Sequence, residues 1–563
     1  MRMRKVPRVT KLPKGHAPGE PFRHPDHPRP TTRRQFLSQG FITGSATVLL
    51  PSIYSLLANP RIAQAAPALP ADIQTAVTTC GIKSGAGLIP FICFDLSGGA
   101  NIAGSNVLVG GPTGQMDFLS VAGYSKLGLP GSMVPNASAT GNFVDSSFGL
   151  RYHSDSAQMR GIKTKFTNTA AFANVTGTIF PALSQNDTNT NPHNPMYGIW
   201  QAGARGALLD LIGTDSSVSG GNSMAPPNMV NAVAQPTVIQ SGKDTAGLVS
   251  TGQLAQLLPN RTDGQLNDVT RVLASMKRIS DAKTGTSSAY PTATVQAYAD
   301  PTAQANAMAI QACAYTKAAY LLNQYPDASA VNPDADPSIN GGIFTTAEYQ
   351  SNGNFQKTAA VMKLVIDGDA AAGTIELGGY DYHSGNRMDG EAKDFEAGQC
   401  IGAVLQYAAL QKKPVMIYVF TDGSLASDGT IDNSVGGRGK GVWTADNQNV
   451  AATYFLVYNP GGVPQTAQAN VELSKQIGFF NPDGSQNTTS SPAGNNVPNL
   501  VQMVILNYLA LHSANDLARW PTLWPGPGGS GPNIVNTLGT GSALDPLVAW
   551  QPLPGLTNGR VVG

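Results

Sequence analysis

At 563 residues the chain is long enough for two or three ordinary domains, or for one large domain with insertions. Only 13% of the residues are charged, and the 62 Gly and 40 Pro indicate many loops, while recurrent apolar runs exclude a disordered chain. Residues 1–65 hold 11 of the 36 Lys and Arg but two of the 35 Asp and Glu, which leaves 25 basic and 33 acidic residues elsewhere. This acidic excess argues against nucleic acid as a partner.

The first 65 residues have the pattern of an export signal peptide. Residues 31–38 are TTRRQFLS, an apolar stretch follows from Phe41 to Leu57, and Ala63-Gln64-Ala65 offers a small-x-small cleavage site. The Arg33-Arg34 pair resembles a twin-arginine signal, which directs an already folded protein out of the bacterial cytoplasm. We therefore expect the twin-arginine translocase and signal peptidase as partners, and a periplasmic, cell-surface or secreted location. A retained membrane anchor is the alternative, but the apolar stretch is short and weakly hydrophobic, so we expect no stable span after cleavage.

Residues 66–214 predict the first half of an α/β domain. Gly87–Phe94 is a continuous apolar run, typical of a strand buried on both faces, and a polar Gly-rich turn starts after it at Asp95. The other elements expected here are, in order, a helix over 156–165, a strand over 169–175, a polar loop over 184–195 and a helix over 197–206.

Residues 215–345 predict an insertion of helices and loops without obvious chemistry. The helical patterns lie at 266–282 and 303–325, and a loop rich in Pro, Asp and Asn follows at 326–340. Residues 346–563 then predict the second half of the α/β domain and a C-terminal extension.

The region 354–422 has the clearest pattern in the chain. It predicts a β-α-β unit, which normally joins two parallel strands by a right-handed crossover. The elements expected from here to the C-terminus are a helix over 355–366, a strand over 373–377, a helix over 391–410, a strand over 414–420, a strand over 451–458 and a helix over 500–518. The sequence therefore predicts an α/β fold with a mostly parallel central sheet flanked by helices, a helical insertion and long polar loops.

The four cysteines give no sign of a redox or zinc motif. None has CxxC spacing, so Cys80, Cys93, Cys313 and Cys400 leave disulfide pairing open. Cys93 lies in an apolar strand pattern and Cys400 in a helix pattern, so we expect both to be small buried hydrophobic residues.

Polar side chains lie next to the ends of the predicted strands. Asp95 follows the first strand, Asp381 and His383 follow the strand ending at Leu377, and Asp422 follows the next strand. Asp446 precedes the strand over 451–458. Ligands of a parallel α/β sheet bind outside the carboxyl ends of its strands, so these side chains are candidate metal ligands.

Carboxylates and an imidazole together suit a divalent metal such as Zn²⁺, Mn²⁺, Mg²⁺ or Ca²⁺. Two such ions can activate a nucleophile and bind both oxygens of a displacement at phosphorus or sulfur. The alternative for each aspartate is a turn or helix cap. Histidine is scarce after the leader. His153 is expected to open a helix and His512, in the C-terminal helix, to be structural, which leaves His193 and His383 as candidates.

Four segments, in order, resemble the twin-arginine-exported family called domain of unknown function 1501: TTRRQFLS, FICFDLSGGANIAGSN, NPHNPMYGIWQAG, and GGYDYHSGNRMDG with its helix and PVMIYVFTDG. The resemblance covers roughly 88–210 and 354–460. It implies an alkaline phosphatase-like fold, related to the alkaline phosphatase–sulfatase superfamily. It also implies His193 as a catalytic residue that positions substrate, and as metal ligands Asp95, Asp381, His383, Asp422 and Asp446.

The chain departs from the family pattern at two positions that matter for catalysis. Asn447 stands where the family has a histidine ligand, and Pro192 stands where it has a serine before His193. We therefore expect an exported protein that is non-catalytic or degenerate, with a binding or surface-assembly role toward a surface polysaccharide or protein. The alternative is a metal-dependent hydrolase of phosphate or sulfate esters, so enzymatic activity stays open.

Overall fold

The computed structural model describes residues 87–135, 143–184, 191–231, 234–250, 328–523 and 536–561, together with Ser275, Arg278 and Tyr325. The predicted signal peptide, Cys80 and Cys313 lie outside the described residues, as do the predicted helices over 266–282 and 303–325 apart from those three positions. Within the described ranges, no helix combines the length and apolar character that a membrane span requires.

A mostly parallel sheet forms the centre of the fold. In chain order the strands are β1 (Phe91–Leu96), β2 (Val144–Phe148), β3 (Leu150–His153), β4 (Val175–Pro181), β5 (Leu209–Gly213), β6 (Thr237–Val238), β7 (Ala370–Leu377), β8 (Val415–Phe420), β9 (Leu425–Ala426), β10 (Ile431–Asp432), β11 (Lys440–Gly441), β12 (Ala445–Asp446) and β13 (Ala452–Tyr458). The central sheet has the order β4-β13-β8-β1-β7-β5-β6. β13 runs antiparallel to both of its neighbours, and the other pairings are parallel. The predicted α/β fold with a mostly parallel sheet is confirmed.

Helices cover both faces of this sheet. They are α1 (Val121–Lys126), α2 (Ala157–Lys165), α3 (Met196–Gln201), α4 (Gly242–Ser250), α5 (Thr346–Ser351), α6 (Gly353–Asp367), α7 (Met388–Gln411), α8 (Val471–Lys475), α9 (Val497–Ala510), α10 (Ala514–Ala518) and α11 (Trp520–Leu523), with 3₁₀ turns at Thr169–Asn174, Ala328–Ala330, Pro333–Ala335, Gln448–Val450 and Gly541–Leu547. Ile92 and Phe94 of β1 belong to the core that contains α2, α6 and α7. Phe91 and Cys93 belong to the core that contains α3 and α9, which explains the continuous apolar run.

The predicted β-α-β unit is present as β7-α7-β8. Both strands pair parallel with β1, which lies between them, so the crossover passes over one strand. Cys93 and Cys400 are buried free thiols, as expected. β6 and α4 lie within the predicted insertion, yet β6 extends the central sheet at its edge.

Two element predictions are wrong. The strand expected over 169–175 is a 3₁₀ turn, and the strand starts only at Val175, where Val, Thr and Ile replace a run rich in Ala. The single helix expected over 500–518 is divided after Ala510, because Ser513 caps a new helix by accepting a hydrogen bond from the Asp516 backbone N–H at 3.0 Å.

Helices α2 and α7 approach each other so closely that their contact requires glycine. A Cβ atom built on Gly398 would lie 2.1 Å from the carbonyl oxygen of Gln158, and one built on Gly161 would lie 2.1 Å from that of Phe395. Both neighbours are backbone atoms, which cannot rotate away. The absence of a side chain at Gly161 and Gly398 therefore sets the distance between α2 and α7.

We predict that Gly398→Ala destabilises the fold by about 2 kcal/mol or more, because the added methyl group would separate α2 from α7. Gly353→Ala is the matched control: nothing lies within 4 Å of its Cβ position at the start of α6. Its stability should equal that of wild type or rise by up to about 1 kcal/mol. Urea unfolding measures both, and a Gly398→Ala protein as stable as wild type would contradict the packing argument.

His512 is a structural histidine, as the sequence predicts. Its Nδ1 lies 2.6 Å from the carbonyl oxygen of Tyr508, and its Nε2 accepts a hydrogen bond from the Ile89 backbone N–H at 2.9 Å. Nδ1 therefore donates to the carbonyl, and Nε2 can act as an acceptor only while the ring is neutral. Burial lowers the pKa of His512 from its usual 6.5 to about 4.

Since the unfolded chain binds this proton before the folded chain does, the stability from His512 is complete above pH 6.5 and is lost as the pH falls toward 4. We predict that His512→Gln unfolds more easily at pH 8 by about 1–3 kcal/mol. The difference in the free energy of unfolding between this variant and wild type should decrease by about 2 kcal/mol between pH 6.5 and pH 5. Urea midpoints at several pH values test this, with the exposed Lys243→Gln variant as the control. A deficit independent of pH would refute it.

Candidate metal centre

The segment after β7 is attached to the turn after β1. The Ser97 backbone N–H donates to the carbonyl oxygen of Leu377, and the Tyr380 backbone N–H donates to that of Ser97, both at 3.0 Å. Gly98 has a φ of +114°, and a Cβ atom there would lie 2.9 Å from the Asp381 backbone nitrogen. Glycine at this position therefore lets the two turns meet.

Buried and accessible side chains alternate along this segment. Tyr380 and Tyr382 are 1% and 4% exposed. Asp381 and His383 have side chains that are 51% and 36% exposed. The extended backbone thus buries the two tyrosines and leaves the two candidate ligands at the surface.

Asp446 joins these two residues from a different part of the chain. It lies in β12, which pairs antiparallel with β9 just after β8, so that Asp446 lies opposite Leu425. Its Oδ1 atom is 3.2 Å from Nδ1 of His383, and the Asp381 carboxylate contacts the same nitrogen. One ligand atom from each residue lies within 4.8 Å of the other two.

This group has the chemistry of a metal site. Nδ1 of His383 is inaccessible to solvent and forms no hydrogen bond of standard geometry, although two carboxylates contact it. A shared cation would satisfy such converging atoms better than an N–H directed at a single oxygen. Two carboxylates and one imidazole suit Zn²⁺ or Mn²⁺ better than Mg²⁺ or Ca²⁺, which take oxygen ligands. The residues Asp381, His383 and Asp446 could thus hold one divalent ion, as the sequence predicts.

The other two predicted ligands form a buried pair. Asp95 lies within β1 rather than after it, because the strand continues to Leu96, and this places its side chain on the buried face. Its carboxylate accepts hydrogen bonds from the backbone N–H and the hydroxyl of Ser223, at 2.7 and 3.0 Å. Burial raises the pKa of Asp95 to about 8, and the nearby charge of Asp422 contributes in the same direction.

Asp422, the second member of this pair, contacts the turn after β1 that lies against Asp381. Its carboxylate accepts from the Gly98 backbone N–H at 2.8 Å and from the Asn222 side chain at 3.2 Å. The structure thus brings Asp95 and Asp422 to the same end of the sheet as the three grouped residues, but it buries both. A role as metal ligands stays a prediction for Asp95 and Asp422.

His193 lies apart from the grouped residues and contacts a serine that the sequence did not suggest. Its Nε2 is 3.1 Å from Oγ of Ser184, and its ring stacks on Phe420. Burial lowers the pKa of His193 to about 3, so the ring is neutral. The family resemblance predicts a serine directly before His193, but this chain has Pro192 there. Ser184 could have been found by the same strand-end rule, since it follows β4.

Asn447, at the position of the expected family histidine, has a local structural role. Its side-chain oxygen accepts from the Asn449 backbone N–H at 3.0 Å and caps the turn Gln448–Val450. Its own N–H donates to the carbonyl oxygen of Ser424 at 2.8 Å. Asp446 next to it offers the candidate ligand atom of this segment.

No family model, curated protein or solved structure matches this chain. The resemblance to the twin-arginine-exported family, and the catalytic role of His193 that it implies, stay predictions.

Proposed function

We propose that this chain is a metal-binding protein that uses one divalent ion, held by Asp381, His383 and Asp446, to bind an oxygen-rich ligand outside the cytoplasm. The observation that carries the proposal is the convergence of an imidazole nitrogen and two carboxylate oxygens within 4.8 Å at the end of the sheet. Three protein ligands leave coordination positions for a ligand or water, and the exposure of the side chains gives access to them.

A binding role is favoured over catalysis by three hydroxyl groups at this end of the sheet, which are engaged within the fold. The Ser97 hydroxyl donates to Glu376 at 2.7 Å, and the Thr421 hydroxyl accepts from the Ala100 backbone N–H at 2.8 Å. Ser184 is buried beside His193. Each of these three hydroxyls is engaged within the fold rather than directed at the grouped ligands. With the leader predicted from residues 1–65, this favours a surface or assembly role.

Hydrolysis of phosphate or sulfate esters is the second candidate, and the buried pair Asp95 and Asp422 favours it. Two buried carboxylates lie at the same sheet end as the exposed candidate ligands, and both accept hydrogen bonds from neighbouring backbone or side-chain groups. A divalent ion, when bound, would lower the pKa of a coordinated water molecule and polarise an ester oxygen. In this chain Asp381, His383 and Asp446 would orient such an ion, and Asp422 would hold the turn at Gly98 in place.

We predict that the purified chain, stripped of metal, binds one Zn²⁺ or Mn²⁺ per molecule in titration calorimetry. His383→Gln and Asp381→Asn should each weaken binding at least about tenfold, because each removes one of three ligands. Asp545→Asn removes an exposed carboxylate elsewhere and should bind as wild type does. A wild-type protein without stoichiometric binding of any of the four ions Zn²⁺, Mn²⁺, Mg²⁺ and Ca²⁺ would reject the proposal.

Turnover of ester substrates distinguishes a binding protein from a hydrolase of phosphate or sulfate esters. An aryl phosphate and an aryl sulfate are incubated with the metal-loaded wild type and with Asp381→Ala. A binding protein should release no more phenol than the variant does. Metal-dependent release that disappears in Asp381→Ala would replace the binding role with ester hydrolysis.

A further inference from the structure

Tyr382 lies between two of the three candidate metal ligands, and its side chain is buried beneath them. Its ring packs against the first turn of α7, where a Cβ atom on Gly390 would lie only 2.9 Å from the ring. Its hydroxyl donates to Oδ1 of Asp394 at 3.1 Å and accepts from the Asn101 backbone N–H at 3.0 Å. One side chain thus connects the ligand segment both to α7 and to the turn after β1.

We propose that Tyr382 is the positioning residue of the metal centre: its hydroxyl, held by Asp394, fixes the separation of the Asp381 and His383 ligand atoms. This inference rests on the proposed metal binding. The backbone N–H of Tyr382 donates to Tyr380 of the same segment, so it does not attach the segment to the sheet. The hydroxyl is the group of Tyr382 that bonds to α7 and to the turn after β1.

The partner of this hydroxyl is itself fixed from the other side. Oδ2 of Asp394 accepts from the Asn106 side-chain amide at 2.8 Å, and the same amide donates to the carbonyl oxygen of Asn101 at 2.8 Å. The amide oxygen of Asn106 accepts from the Ser156 hydroxyl and the Gln158 backbone N–H, at 2.9 and 3.1 Å. The network therefore reaches the beginning of α2. The Tyr382 hydroxyl bonds directly to two groups, one on α7 and one in the turn after β1, and it is connected to α2 through Asp394 and Asn106.

Tyr380 provides a matched comparison on the same segment. It is also buried, and its hydroxyl donates to the carbonyl oxygen of Lys393 on α7 at 2.9 Å. Its backbone N–H, however, donates to the carbonyl oxygen of Ser97, so loss of the hydroxyl leaves this residue attached to the sheet. Removal of one hydroxyl from either tyrosine should affect stability, but only removal from Tyr382 should affect the ligand atoms.

The test compares Tyr382→Phe with Tyr380→Phe. Zn²⁺ affinity is measured by calorimetry, coordination geometry by the visible absorption of bound Co²⁺, and stability by urea midpoints. Tyr382→Phe should weaken Zn²⁺ binding about 10–100-fold and change the Co²⁺ spectrum, as expected when a group that orients a ligand is removed. Tyr380→Phe should keep wild-type affinity and spectrum whatever its urea midpoint.

If Tyr382→Phe keeps the wild-type Zn²⁺ affinity and Co²⁺ spectrum, the inference is overturned but the metal site stands. An equal loss of Zn²⁺ affinity in Tyr382→Phe and Tyr380→Phe would also overturn the inference. A wild-type protein that binds no cation rejects the proposed function and the inference together. If Tyr382→Phe does not fold, Gly390→Ala takes its place, because its methyl group displaces the Tyr382 ring without removing a polar group. It should weaken Zn²⁺ binding and alter the Co²⁺ spectrum, and an unchanged affinity would overturn the inference.

Discussion

The buried carboxylate of Asp394 is the group on which the candidate site and its surroundings depend. Burial raises its pKa to about 7, and hydrogen bonds from Asn106 and Tyr382 act in the opposite direction. A buried polar group of this kind is stable only when its partners are in place. Through these partners it joins α7 to the turn after β1, to the ligand segment after β7 and to the beginning of α2. Four distant parts of the sequence therefore meet in the hydrogen-bond network beneath the candidate ligands.

The elements beneath the site pack with their backbones in direct contact. Gly161 and Gly398 let α2 and α7 meet without side chains between them, and Gly98 lets the β1 turn meet the segment after β7. Exposed ligands would otherwise sample many positions, and metal affinity depends on holding them at the correct separation. Here Asp381 follows a turn that contacts Gly98, and Asp446 pairs with β9 opposite Leu425.

Sequence reasoning named the three residues that group at the end of the sheet, since residues at strand ends meet at one edge of a parallel sheet. It did not separate Asp381, His383 and Asp446 from Asp95 and Asp422, because burial depends on where each strand stops. β1 extends two residues beyond Phe94, and this moves Asp95 from an exposed turn to a buried face. Ser184 was missed for a related reason: its contact with His193 spans a loop and leaves no spacing motif.

The sequence by itself determined the α/β class, the β-α-β unit and the edge of the sheet at which polar groups gather. These follow from local hydrophobic patterns, which depend on the period of each element. Only the tertiary structure decided which carboxylates are accessible, which histidine nitrogen faces them, and that Tyr382 and Asp394 lie beneath them. Such contacts join residues far apart in the chain, and their geometry depends on how strands and helices pack rather than on any spacing along the sequence.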